Sequence, residues 1–146
     1  MPKKYISESV KQAVEERASG RCEYCMSLRK YSPQPFIIEH IIPRIKGGSD
    51  ALNNLALSCG GCNGHKYQKT EATDPITGVL VPLFHPRHDD WFTHFEWDVD
   101  YLQVIGITPV GRATERALYL NREELINLRA LVKMTGEHPP RKGIRG

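Results

Sequence analysis

No stretch of this chain approaches the roughly 18 consecutive apolar residues that a membrane-crossing helix needs. The opening MPKKYISESV carries two lysines with no apolar run behind them, so no secretory signal is read there. A cytoplasmic location with no membrane partner is the expectation. Neither charge dominates: 20 Lys plus Arg stand against 17 Asp plus Glu, a formal net charge of +3. That mild basicity permits a polyanionic partner without demanding one. No internal repeat is visible, so nothing argues for a repeat architecture. The 146 residues fit one domain over 1–146, long enough to bury roughly 68–70% of the unfolded surface. Cysteine is scarce, with four in the whole chain. In a reducing compartment those four are thiols or metal ligands; disulfides remain the alternative if the chain is exported.

What is present is their arrangement. Cys22 and Cys25 (RCEYC) and Cys59 and Cys62 (CGGCN) form two Cys-x-x-Cys pairs around a segment containing Glu39-His40 and Asn54. One Cys-x-x-Cys turn directs two sulfurs at a single ion, and two such turns complete the tetrahedron that zinc favours. All four positions being protein thiolates, the zinc read here is structural rather than catalytic. Four buried free cysteines are the blander alternative.

The rest of the chain reads as α and β elements mixed. Residues 7–19 have helical spacing, with Ser7 or Ser9 to cap them and Gly20 to close them. The segment 36–42 is β-rich and stops at Pro43, and 54–58 reads as a second short strand. A short helix is expected from Asn63, stopping before Asp74-Pro75. The Pro-containing stretch 74–87 reads as an ordered loop, 91–107 as a hairpin turning near 98–101, and 109–120 as a helix. Asn121 is placed to cap a last helix, and the tail 137–146 reads as frayed. The core would span about 20–72 and a C-terminal extension about 74–136.

From Arg21 to about Lys66 the motifs, in order, are C-x-x-C, Glu-His-Ile-Ile-Pro, Gly-Gly, Asn-Leu five residues before a cysteine, and Cys-Asn-x-x-Lys. This segment resembles the HNH endonucleases, in particular small standalone bacterial members with a four-cysteine zinc site. The resemblance implies an α+β fold: a ββα-metal (His-Me finger) core with zinc knuckles, an N-terminal helix, and a C-terminal hairpin and helices. It implies that His40 is the general base, a role that suits imidazole near neutral pH. It implies that Asn54 braces the loop and orients His40. Glu39, where the family usually has Asp, and Asn63 would hold a catalytic divalent ion, Mg²⁺ or Mn²⁺ or another. DNA is the implied substrate, with a homodimer as one route to double-strand cleavage. Two other readings stay open, a non-catalytic zinc-stabilised nucleic-acid-binding module and an RNA-cleaving nuclease.

Arg44, Lys46, His65, Lys66 and Lys69 flank the implied site and are candidates for phosphate contacts. Arg112 and Arg116 could grip nucleic acid or simply decorate a surface. His85 and His88 read as loop residues rather than ligands. Trp91, Phe95 and Trp97 read as core that packs the C-terminal hairpin on the cysteine module.

Overall fold

The computed structural model describes residues 5–141 and has an α+β architecture of helices and two-stranded sheets. Helix α1 (Glu8–Arg17) begins where Ser7 Oγ accepts from Val10 N and ends at Ala18, ahead of Ser19 and Gly20 at positive φ. Its buried Val14, with Ala18, packs on Leu55 and Leu57. A tight turn follows that carries Cys22 and Cys25 and is held by the Cys22 N to Ser27 O hydrogen bond.

Strand β1 (Ile37–His40) pairs antiparallel with β2 (Leu55–Ser58), setting Glu39 opposite Ala56 and His40 opposite Leu55. Every residue of β2 is buried, so this strand forms the floor on which the neighbouring elements rest. Helix α2 (Gly60–Lys66) follows at once and completes a ββα unit. It starts three residues earlier than the sequence suggests. The Cys59 sulfur caps it by accepting from Cys62 N, a bond that overrides the poor helix propensity of Gly60 and Gly61. It also stops earlier, at Tyr67, whose φ of 50° breaks the helix.

The expected loop over 74–87 is a correction. Part of it is strand β4 (Leu80–Pro82), which pairs antiparallel with β3 (Glu71–Thr73). Asp74 organises the turn by accepting from Ile76 N, Thr77 N and Thr77 Oγ1. Trp91–His94 forms a short helix α3 rather than strand, and the hairpin proper is β5 (Phe95–Trp97) with β6 (Val104–Gly106). Helix α4 (Pro109–Ala117) is capped by Thr108. Helix α5 (Glu123–Lys133) has Arg122, not Asn121, at its cap position. The Asn121 carboxamide is engaged elsewhere, with the backbone N and O of Val104.

The main hydrophobic cluster joins Tyr24 and the four cysteines to Phe84, Trp91, Phe95, Leu118, Leu120 and Leu125. Trp91 is fully buried and donates its Nε1 to Tyr24 O at 3.0 Å; Phe95 is equally buried, and Trp97 packs against the cluster half-buried. The expected fraying does not hold for 137–141. Glu137 O accepts from Arg21, and the buried His138 contacts Tyr101 O at 2.6 Å. Residues 142–146 lie outside the described residues. No helix among the described residues is long and apolar enough to cross a membrane.

Candidate functional site

Two centres lie side by side. In the first, the sulfurs of Cys22, Cys25, Cys59 and Cys62 all come within 4.8 Å of one another, and Cys25 Sγ lies 3.8 Å from Cys59 Sγ. A tetrahedron with zinc–sulfur bonds of about 2.3 Å has edges of about 3.8 Å, so the cluster has the size of a zinc tetrathiolate. None of the four is in a disulfide. Cys25 N points at Cys22 Sγ, and Cys62 N at Cys59 Sγ, which stabilises charge on the sulfurs. Burial pushes the Cys22 thiol well up from its ordinary range, so a dication among these sulfurs supplies what ionisation needs. Arg122 adds a further positive charge. Its guanidinium lies 3.4 Å from Cys59 Sγ and 3.7 Å from Cys62 Sγ. Burial opposes that charge, but the thiolates outweigh burial and hold Arg122 firmly protonated. The close approach depends on Gly61, where a Cβ would stand 2.4 Å from Arg122 Nη2.

The second centre is a cavity of about 370 Å³ at the mouth of the ββα unit. Glu39, His40, Pro43, Arg44 and Ile45 line one side, from β1 and the turn after it; Asn63, Tyr67 and Gln68 line the other, from α2 and its end. Three of the residues singled out from sequence, Glu39, His40 and Asn63, therefore share one cavity.

Glu39 is 5% exposed. Its Oε1 accepts from Tyr24 OH at 2.6 Å, and Lys66 Nζ lies 3.4 Å from Oε2 as an ion pair. Oε2 enters no hydrogen bond among the described residues. Burial raises the Glu39 carboxyl, against the pull of Lys66 and Tyr24. The Glu39 carboxylate and the Asn63 carboxamide bring oxygen donors to the lining of one cavity, a set that suits a hard divalent cation.

His40 is half-buried, and its Nε2 meets Asp50 Oδ1 at 2.7 Å. Arg44 Nε reaches the same oxygen at 2.8 Å. The Arg44 guanidinium, then His40, hold the Asp50 carboxyl below its ordinary value. An ionised carboxylate only accepts, so Nε2 is the nitrogen that donates, and in the neutral ring the lone pair lies on Nδ1. Sequence reading missed Asp50 because it sits in turn material, Gly-Gly-Ser-Asp, where Asp needs no other explanation. Its one signal is the spacing that folds this turn back over His40.

Asn54 does not bond the His40 ring. It spans the loop instead: Oδ1 accepts from Ile42 N, while Nδ2 donates to Ile42 O and Ser49 O. Gly48 makes room for this, since a Cβ there would meet Ile42 O at 1.7 Å.

The basic residues separate by burial. Arg44, Lys46 and Lys69 are exposed at or near the cavity. Lys66 is a correction: at 1% exposure it is no phosphate contact, and its ammonium is committed to Ile41 O and Glu39. His65 lies off the cavity, packed on Tyr119 with ring centroids 4.7 Å apart. Arg112 is also committed, paired through both Nε and Nη2 with buried Asp74, whereas Arg116 is exposed. His85 and His88 stack on each other in their loop.

Against known proteins, residues 22–69 match the family model of the HNH endonucleases. The chain is 27% identical over 154 aligned residues to the Septu protein PtuB of Bacillus mycoides (strain KBAB4), an alignment covering 88% of this chain and 52% of that protein. It thus spans about half the length of the curated relative it matches. No solved structure matches. With the paired strands, the short helix and the clustered cysteines all inside the matched segment, residues 22–69 form an HNH endonuclease domain.

Proposed function

We propose that the chain is a metal-dependent endonuclease that hydrolyses DNA phosphodiester bonds, leaving 5′-phosphate and 3′-hydroxyl ends. The observation that carries the reading is the shared cavity of Glu39, His40 and Asn63 on a ββα unit. The likeness to a Septu protein PtuB extends the proposal to a Septu-type nuclease.

In this reading His40 takes the proton of the attacking water at Nδ1. Asp50 fixes the tautomer by accepting from Nε2, and Arg44 keeps Asp50 ionised and in place. Asn54 stiffens the loop that carries Asp50 by joining Ile42 to Ser49. Glu39 and Asn63 would hold a divalent ion such as Mg²⁺ or Mn²⁺. When bound, that ion polarises the phosphate and steadies the leaving oxygen. Lys66 favours the ionised form of Glu39 from inside the fold, and Tyr24 holds the carboxylate in place by donating to Oε1. Arg44, Lys46 and Lys69 are the exposed cations available to the strand. The zinc of the four-cysteine cluster holds both walls together and takes no part in the chemistry. One such centre acts on one strand, so a double-strand break requires a second event or a homodimer.

Plasmid nicking tests this directly. Wild type should convert supercoiled DNA with Mg²⁺ or Mn²⁺, chelation with EDTA should stop it, and His40→Ala should abolish it while keeping zinc and fold. Equal cutting by His40→Ala refutes the assignment of the base. One observation favours a second reading, a non-catalytic nucleic-acid-binding module: Lys66 already neutralises Glu39 without a metal. That reading requires salt-dependent DNA binding with no cleavage under any divalent ion. An RNA target is separated by offering RNA and DNA of the same sequence.

A further inference from the structure

The rim of the cavity carries a feature that water-splitting chemistry does not use. Ile45 is 75% exposed and Tyr67 is 72% exposed, and both line the cavity, one from each wall. Singly exposed apolar side chains are ordinary on a protein surface; what sets this pair apart is that both stand at the same cavity. Tyr67 also stands in a backbone conformation, φ 50° and ψ −116°, that suits glycine and disfavours a β-carbon. Its amide donates to Asn63 O, so this strained residue is tied to the turn that presents Asn63 to the cavity. Among the described residues no aromatic ring or cation packs on the Tyr67 ring, unlike Tyr119, which meets His65, and Tyr31, which meets Lys30. Exposed cations neighbour the pair in sequence: Arg44, itself in the cavity lining and paired with Asp50, and Lys46 flank Ile45, and Lys69, which donates to His65 O, follows Tyr67 by two residues.

A cationic rim with an exposed aromatic and an exposed aliphatic beside an open cavity matches a nucleic-acid strand with its bases unstacked. A base inside an intact duplex offers its faces to its neighbours, not to a protein side chain; a base freed from pairing offers both. We infer that Tyr67 stacks on a nucleobase next to the scissile phosphate, with Ile45 supporting that base from the opposite wall, so that the enzyme selects single-stranded or locally unpaired DNA over intact duplex. This inference rests on the nuclease reading of the same cavity. Base–aromatic stacking of this kind corresponds to about a 10-fold effect or more for one base.

The test uses the full, zinc-loaded chain and one DNA sequence in three forms: single strand, perfect duplex, and duplex with a central unpaired bubble. Wild type should cut the single strand and the bubble about 10-fold or more faster than the duplex. Tyr67→Phe should keep that preference. Tyr67→Ala should lose it, cutting of the unpaired forms falling about 10-fold or more relative to the duplex, and Ile45→Ser should reduce it. A second arm needs no cleavage: 2-aminopurine is placed beside the scissile position and its emission is read without added Mg²⁺ or Mn²⁺ as protein is added. Wild type and Tyr67→Phe should quench the probe, and Tyr67→Ala should not. A wild type that prefers duplex, or a Tyr67→Ala chain that quenches and discriminates as wild type does, overturns the inference. If Tyr67-dependent quenching is present but no form is cut under any divalent ion, the stacking assignment stands and the nuclease reading fails.

Discussion

Asp50 is the residue whose role is easiest to isolate. It lies outside both walls of the cavity, and among the described residues its carboxylate meets the site through His40 and Arg44. Asp50→Asn keeps the size but removes the charge that selects the Nε2–H tautomer. The turnover number in plasmid nicking should fall on the order of 10- to 100-fold, as when the orienting partner of a working imidazole is lost, with KM little changed. A fall in KM-controlled binding alone, with turnover intact, would assign Asp50 to substrate contact instead. Lys66 calls for a different measurement. Removing one partner of a buried ion pair leaves the other unpaired, so Lys66→Met should destabilise the chain by about 3 kcal/mol in denaturant unfolding. The double variant with Glu39→Gln should recover part of that loss. The contrast between these residues shows where sequence reading works at this scale. The cysteines are legible from their paired spacing, and Glu39, His40 and Asn63 from the resemblance of the motifs that carry them; the fold sets those three round one cavity. Lys66 and Arg112 are misread as surface cations because a sequence does not show that one is buried beneath Glu39 and the other is paired with buried Asp74.

At the level of elements, the fold rests on contacts between segments distant in sequence. The β3–β4 hairpin is the clearest case. The sequence reads β3 as the end of a short helix and β4 as loop, and the pairing depends on Asp74, which holds its own turn and also binds Arg112 of α4. Arg112, the first cause, holds the Asp74 carboxyl well below its ordinary value of 3.8. The unfolded chain therefore takes up this proton first as pH drops. The stabilisation is complete above about pH 4 and disappears as the pH falls through the lower folded value. Melting temperatures of wild type and Asp74→Asn should differ at neutral pH and converge in acid; a constant gap would remove Asp74 from the account of acid unfolding. The loop between β1 and β2 depends on a single missing atom. Gly48→Ala places a Cβ on Ile42 O and beside the Asn54 amide, both part of the brace for His40. It should cost about 2 kcal/mol or more in thermal unfolding and slow cutting even where the chain stays folded. Gly-Gly is visible in the sequence as a turn, but not which of the two glycines the packing requires.

For the molecule as a whole, the question is whether the zinc holds only its own knuckles or the entire chain. The core gives the answer physical content. The four cysteines share one hydrophobic cluster with Trp91, Phe95, Leu118, Leu120 and Leu125, residues that lie well beyond the segment matched by the HNH family. Arg122, at the start of α5, binds the sulfurs directly, and Trp91 donates to the backbone of the first knuckle. Nothing in the C-terminal half announces this dependence, because leucines at helical spacing do not say what they pack against. A structural zinc contributes about 10–16 kcal/mol at neutral pH in small domains, a range at or above the roughly 5–15 kcal/mol typical of a whole domain. Its removal should therefore melt α4 and α5 together with the knuckles. Stripping zinc with a high-affinity chelator while following far-ultraviolet circular dichroism and amide exchange should show one cooperative loss, with α4 and α5 amides exchanging as fast as those of β2. Arg122→Gln should speed zinc release to a metallochromic dye, and Arg122→Lys should restore part of the retention, because charge matters there and the planar fork adds to it. Protection persisting in α4 and α5 after the zinc has left would mean that the C-terminal half folds on its own. Arg122 would then be an adornment of the cysteine centre rather than the link by which the ion holds the chain together.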